Sequence, residues 1–446
     1  MNDMKDTHFN PMNRARHRLW GMVVWALCLM AASEALGQDV IQGGETLDLK
    51  RCIAIALQHH PSIKSSSGIL AASRSRIDQA RSAYFPQVGW TTEASRIHPA
   101  GGASSNGNGD ASYSEYATRV GLTQKLFDFG RTSAQTGVRA LEAEAAAADL
   151  GAVRDRIVYQ VILAYYALLS AEQNREVHAR TVTQFEQHLQ RARTFFEIGV
   201  RSKIDVTKAE VDLSRARLNL LMAENALTIA GLTLKNAIGV PEAPDFEVKE
   251  MPLPSAPVAS QEQALERAFA QRPDLRAVMS RREAAQRAVD LARTGCYPAL
   301  DGKAAYGFTD REFPLEEEWS IGIGLSIPLF NGLLTRSQVD EAVAFLSSAR
   351  AEEELARQTV RFDIAQAYAN LSNVRQRFDL AEVSLMQAVE NRGLAEGRYA
   401  AGVGDALEVT DAVVAEVAAR TESISARYDY QIALAALARA MGERLD

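Results

Sequence analysis

The sequence predicts a mainly α-helical fold with membrane β-strands: internally duplicated long helical hairpins, plus four transmembrane strands per chain that contribute to a barrel shared between copies. Three observations carry this. The chain contains itself twice at constant spacing; each copy holds nearly seventy residues without a proline; and each copy holds two alternating runs about ten residues long.

The duplication sets the domain organisation. Pro61, Ile63 and Tyr84-Phe85-Pro86 recur 212 residues later as Pro273, Leu275 and Cys296-Tyr297-Pro298. From Gly121 onward the offset is 203: Gly121-Leu122-Thr123 returns as Gly324-Leu325-Ser326, Leu126-Phe127-Asp128 as Leu329-Phe330-Asn331, and Ala237-Ile238-Gly239 as Ala440-Met441-Gly442. One plan per copy makes the fold pseudo-twofold. The first repeat is read as residues 38–257, with helices 46–85, strands 87–97 and 113–125, a long helix 129–197, a return helix 204–238 and a linker 241–257. The second is 258–446, with helices 259–296, strands 299–309 and 319–327, a long helix 333–400 and a return helix 405–441.

Residues 1–37 read as a secretory signal. Arg14, Arg16 and Arg18 precede an apolar stretch from Leu19 to Ala32, and Ala35-Leu36-Gly37 offers small residues for cleavage. Cys28 follows Trp25-Ala26-Leu27, without the small residues lipidation requires. Loss of the segment moves the formal net charge from −7 to near −8, because four basic residues (Lys5, Arg14, Arg16, Arg18) leave with three acidic ones (Asp3, Asp6, Glu34). That balance, with no basic run beyond the N-terminus, excludes a nucleic-acid partner of the nonspecific kind. Cys52 and Cys296 occupy non-equivalent repeat positions and are expected to be small buried thiols.

The four strands follow from alternation. Val88, Trp90, Thr92 and Ala94 oppose Gly89, Thr91, Glu93 and Ser95; Tyr116, Thr118, Val120 and Leu122 oppose Glu115, Ala117, Arg119 and Gly121. In the second repeat, Leu300 to Phe308 alternates likewise, and Trp319, Ile321, Ile323, Leu325 and Ile327 oppose Ser320, Gly322, Gly324 and Ser326. One apolar and one small, polar face over about ten residues is the pattern of a strand between lipid and water. The loop from Pro99 to Asp110 is glycine- and serine-rich and longer than its acidic counterpart, Asp310 to Glu318. Four strands cannot close a barrel, and an open edge is not tolerated in lipid, so the chain must share its barrel with copies of itself.

The helices come next. As one α-helix, Arg131 to Glu197 spans roughly 100 Å. Each long helix meets Gly-Val (Gly199-Val200, Gly402-Val403) and turns back. The return helix carries a 3-4 seam: Val206, Ala209, Leu213, Ala216, Leu220, Ala223, Leu227, Ala230, Leu234 and Ala237. Its alanines recur at Ala412, Ala419, Ala426, Ala433 and Ala440, with Glu416 among the larger partners. Such a period gives a left-handed supercoil with small residues at a close approach. The seam alone also fits a periplasmic coiled-coil adaptor without a pore; the strands do not.

At the turns, Ser202-Lys203-Ile204-Asp205 and Asp405-Ala406-Leu407-Glu408 are capping-box patterns that would make Asp205 and Glu408 helix caps. Nothing marks a catalytic site: no HExxH, CxxC, P-loop or dinucleotide fingerprint occurs, and His59-His60 reads as surface polarity. No enzyme activity, cofactor or metal is expected.

With these features the chain resembles the TolC-type outer-membrane efflux and secretion channels. The residues that carry the resemblance are the repeat starts (Leu47 to Pro61, Gln261 to Pro273), Pro86 and Pro298, and the strand-to-helix segments Leu126-Phe127-Asp128-Phe129-Gly130 and Pro328-Leu329-Phe330-Asn331-Gly332. The turns after Phe196 and Tyr399 complete it. The resemblance implies a homotrimer with a twelve-stranded barrel in outer-membrane lipid, a periplasmic helical tunnel, and a girdle that includes residues 241–258. It implies a passive duct for efflux or type I secretion, worked by a periplasmic adaptor and an inner-membrane pump of the RND or ABC type. It also places a periplasmic gate on Asp205, Tyr399, Glu408 and Asp411, with Tyr399 linked to Asp205, and adaptor contacts on Gly199, Val200, Gly402 and Val403. The family's basic gate residue falls on Gly404; Arg201 and Lys203 are the nearby basic residues that could take its place.

Overall fold

The computed structural model describes residues 41, 43–98, 112–250 and 260–444. The segment read as a secretory signal, with Cys28, the glycine-rich loop from Pro99 to Asp110 and residues 251–257 of the linker lie outside them.

The duplication is carried through to element lengths. A two-residue strand β1 (Thr46–Leu47) leads to α1 (Leu49–His59) and α2 (Pro61–Arg81), of 11 and 21 residues. Strands β2 (Gln87–Ile97) and β3 (Tyr113–Phe127) follow, then α3 (Arg131–Glu197) and α4 (Lys203–Ile238), of 67 and 36 residues. After β4 (Glu247–Val248), α5 (Gln261–Gln271) and α6 (Pro273–Arg293) again have 11 and 21 residues. Strands β5 (Ala299–Asp310) and β6 (Glu316–Ser326) precede α7 (Leu334–Ala400) and α8 (Ala406–Met441), again 67 and 36 residues. Pro61 and Pro273 open the second helix of each pair, where a missing N–H costs nothing.

Two packed units result. The smaller joins β1 in parallel to β4, within residues up to Leu47 and Glu242–Lys249. The larger holds everything else, and in it the repeats interleave. Its long helices lie side by side in the order α4–α3–α8–α7, with α6 against both α3 and α7. The seam residues Ala209, Leu213 and Ala216 of α4 and Ala412, Ala426, Ala433 and Leu437 of α8 are buried, and so are Tyr165 and Tyr166 on α3.

The sheet in this unit is antiparallel throughout, in the order β2–β3–β5–β6, so β2 and β6 are its free edges. Its register aligns the two faces. Thr91, Arg119, Gly307 and Glu318 form one row; Trp90, Val120, Tyr306 and Trp319 form the next. Arg119 crosses Gly307 to reach Glu318 at 3.0 Å; a Cβ at Gly307 would meet the Arg119 side chain at 2.8 Å. The apolar face is bare: Trp319 is 70% and Ile321 79% exposed.

Three details differ from the sequence reading. Strand β3 continues past Lys125 to Phe127 through a register shift, with Leu126 lying against Gly302, where the absent side chain leaves room. Strand β6 starts at Glu316, because the acidic triplet Glu316 to Glu318 pairs its backbone with Gly307 to Thr309 regardless of side-chain polarity. Cys52 is buried but Cys296 is exposed, since it falls in a short 3₁₀ turn before β5 and turns its thiol to the Arg293 carbonyl. Among the described residues no helix is long and apolar enough to cross a membrane.

Candidate gate at the hairpin turns

Both long hairpins turn in the same way. Gly199 and Gly402 adopt left-handed backbone (φ +77° and +78°), which glycine enters without a Cβ clash. The next residue's N–H then reaches back to the helix: Val200 to the Phe195 carbonyl at 2.9 Å, Val403 to the Arg398 carbonyl at 3.1 Å. This geometry turns Val200 and Val403 outward, where both are largely exposed.

The four expected gate residues take four different situations. The Asp205 carboxylate accepts the Ser202 N–H at 3.2 Å, as a helix-start cap. Tyr399 is only 5% exposed and its hydroxyl has no hydrogen-bond partner, so the link to Asp205 implied by the family resemblance is not made. The physical reason is competition: Asp205 is spent on its own helix start, while burial of Tyr399 pushes its phenol above the usual range. Glu408 is exposed and pairs with Arg398 at 3.2 Å rather than with the Asp405 backbone. Asp411, on the same exposed side of α8, has no hydrogen bond or ion pair with the described residues.

What holds the two hairpins together is different. Arg201, from the first turn, donates to the Gly404 carbonyl of the second at 3.1 Å. Its guanidinium also lies 5.5 Å from the centre of the Tyr399 ring. Gly404 leaves no space for a side chain of its own, since a Cβ there would sit 2.9 Å from the Tyr399 nitrogen. Positions 201 and 404 are repeat equivalents, so the cation at this contact comes from the first copy. Lys203 plays no such part.

Tyr399 is further enclosed by Phe195, at 6.2 Å edge-on, and by His188, whose ring lies 5.6 Å away at 33°. Thr410 on α8 donates to Asp212 on α4 at 3.1 Å. Below them Glu416, buried on the α8 seam, is held by Arg420 at 2.7 Å and by Arg392, which also binds Glu396 at 2.9 Å. A charge on an otherwise apolar seam requires such partners, and Glu416 was a visible signal of them in the sequence. His188 gave no signal, because a single histidine on a long helix has no pattern.

The surroundings contain no group of three or more metal-ligating side chains among the described residues. The arrangement is one of ties between the hairpins of the two repeats.

Comparisons with known proteins agree with the fold. The outer membrane efflux protein family matches residues 52–240 and 264–443, that is, both repeats. Protein CyaE of Bordetella pertussis is 27% identical over 406 residues, covering 90% of this chain and 85% of that protein. Outer membrane protein TolC of Vibrio cholerae is 24% identical over 405 residues, covering 87% and 89%. A crystal structure of a membrane protein from Pseudomonas aeruginosa superposes with a TM-score of 0.79 at 22% identity, over 91% of this chain and 98% of that one. Matched along both repeats, and sharing its fold over nearly its whole described length, the chain belongs to the outer membrane efflux protein family.

Proposed function

We propose that this protein is the exit duct of an export machine in the Gram-negative outer membrane: a passive channel, not an enzyme, joined by a periplasmic adaptor to an inner-membrane pump of the RND or ABC type. The observation that carries this is the sheet. It has an apolar outer face, a small and polar opposite face, and two unpaired edges. In lipid such edges must be satisfied. Three copies supply twelve strands, enough for a barrel with an aqueous lumen, and the resemblance to TolC-type channels implies a trimeric duct worked by adaptor and pump proteins. The four helices α4–α3–α8–α7 per chain then form the wall of a periplasmic tunnel, as a pore-free coiled coil would have no reason to do beside a membrane sheet.

In this reading the hairpin turns are the periplasmic gate. Exposed Val200 and Val403, beside Gly199 and Gly402, form the adaptor-contacting tips, while Asp205, Tyr399, Glu408 and Asp411 surround the constriction with the Arg201 tie.

The test is electrical. Purified protein in planar bilayers is expected to give small, cation-preferring conductance. Arg201→Ala removes one charge-assisted hydrogen bond, about 1.5–3 kcal/mol, and a cation–π contact of about 0.5–1 kcal/mol. It should raise the resting conductance without loss of assembly. Assembled protein that conducts no ions, wild type or variant, would instead favour a structural adaptor.

A further inference from the structure

We propose that His188 makes closure of the hairpin tip acid-sensitive: protonation of its buried ring loosens the ties between the two hairpins. This rests on the gate reading above. Both ring nitrogens of His188, like the Tyr399 hydroxyl, are buried without a hydrogen-bond partner. The two residues line a cavity of about 170 Å³ bounded also by Gln184, Gln187, Arg191, Arg392, Glu396 and Thr410. One water needs about 10–15 Å³, so the cavity has room for several beside the two side chains.

The neutral ring suits its place, packed at a tilt against Tyr399. The imidazolium does not. Its own helix, α3, faces it with Arg191; α7 faces it with Arg392 and Glu396; α4 with Asp205, Lys208 and Asp212; and α8 with Thr410, and with Glu416 through Arg392. The acids are already engaged. Glu396 and Glu416 are held by Arg392, Asp205 by the Ser202 N–H, and Asp212 by the Thr410 hydroxyl. Burial therefore holds His188 below the ordinary histidine value, with the field of Asp212 opposing and that of Arg191 assisting. A protonated ring gains its strongest partner by turning toward Asp212. That movement competes with the Thr410–Asp212 hydrogen bond between α8 and α4, and it removes the ring contact that seats Tyr399. Two ties between the hairpins weaken together.

The sign follows from proton linkage. The loosened tip, with the ordinary value of about 6.5, binds the proton more readily than the closed tip. Closure is therefore fully supported above that value and is lost as pH falls from it toward the lowered value of the closed state. Each unit of difference multiplies the open-to-closed ratio about tenfold once the ring is protonated in both states.

The experiment uses the full-length channel with spin labels on Val200→Cys and Val403→Cys, one on each turn, together with conductance in planar bilayers. Between about pH 7.5 and about pH 5.5, spanning the histidine range, the label separation should widen and the conductance should rise. His188→Phe keeps an aromatic ring against Tyr399 but takes no proton, and should hold the neutral-pH separation at both values. Asp212→Asn, which can still accept from Thr410 but offers no counter-charge, should blunt the widening and serves if the phenylalanine variant does not assemble. No widening in the labelled parent, or the same widening in these variants, overturns the proposal. Widening abolished by His188→Phe but without any change in conductance keeps the switch and removes the tip as the gate of the pore.

Discussion

Residue by residue, the tip divides one contact between the two copies of a duplicated chain. Positions 201 and 404 are equivalents across the repeat, and the structure gives the first the cation and the second the carbonyl that receives it. A related division concerns the acids. Glu408 is neutralised in part by Arg398, whereas Asp411 stands unpaired on the exposed side of α8. In a trimer three Asp411 carboxylates would carry most of the negative field at the tip. Neutralising Asp411→Asn should therefore lower cation preference and weaken block by divalent cations more than Glu408→Gln does, with both effects shrinking as salt screens them. Equal effects of the two changes, or none, would show that the field at the constriction comes from elsewhere. The roles of Asp205 and Tyr399 were only half legible. The capping pattern that puts Asp205 on Ser202 is local and could be read from four residues, but the socket around Tyr399 depends on side chains from α3 and α4 that no spacing within α7 reveals.

At the scale of elements, the sequence was read most securely where one period dominates. The alanine seams and the turns at Gly199 and Gly402 were visible because helix contacts repeat every seven residues and because only glycine enters left-handed backbone freely. The strands were visible because one face must be apolar. The misread ends have a common cause: backbone pairing runs on where the side-chain pattern stops, as at Glu316 and at the Leu126 bulge. The structure also ranks the seam positions. Ala216 is 4% exposed on α4, and Ala426 is fully buried on α8, between two long helices. Enlarging either to leucine should cost about 1–3 kcal/mol by overpacking, with Ala426→Leu the more damaging because α8 has neighbours on both sides. Thermal unfolding of the detergent-solubilised protein measures this. If both variants melt with the parent, the helices are not in close contact at the seam.

For the whole molecule, the decisive feature is that every layer of the large unit ends in an unpaired edge. The sheet ends at β2 and β6, and the row of long helices ends at α4 and α7. Exposed apolar side chains continue along both helical edges, including Val211, Leu218 and Leu232 on α4 and Leu355, Phe362 and Leu380 on α7. Within one copy these edges are not paired with each other among the described residues. Three strand spacings of about 4.8 Å separate β2 from β6 within a chain, roughly 14 Å, whereas a disulfide needs Cβ atoms about 4 Å apart. Cysteine pairs on the small, polar face, with Thr91 or Glu93 on β2 and Ser320 or Gly322 on β6, therefore cannot close inside one protomer. All four strands alternate in direction, so β6 of one copy meets β2 of the next antiparallel, and at least one such pair should come into register. In a background lacking Cys52 and Cys296, mild oxidation of that pair should convert monomer to a covalent dimer and then a covalent trimer on denaturing gels, and stop there. A ladder running past three would mean an open assembly rather than a closed ring. If every pair remained monomeric, the edges would have to be satisfied by something other than a second copy of this chain, and the shared barrel would be wrong.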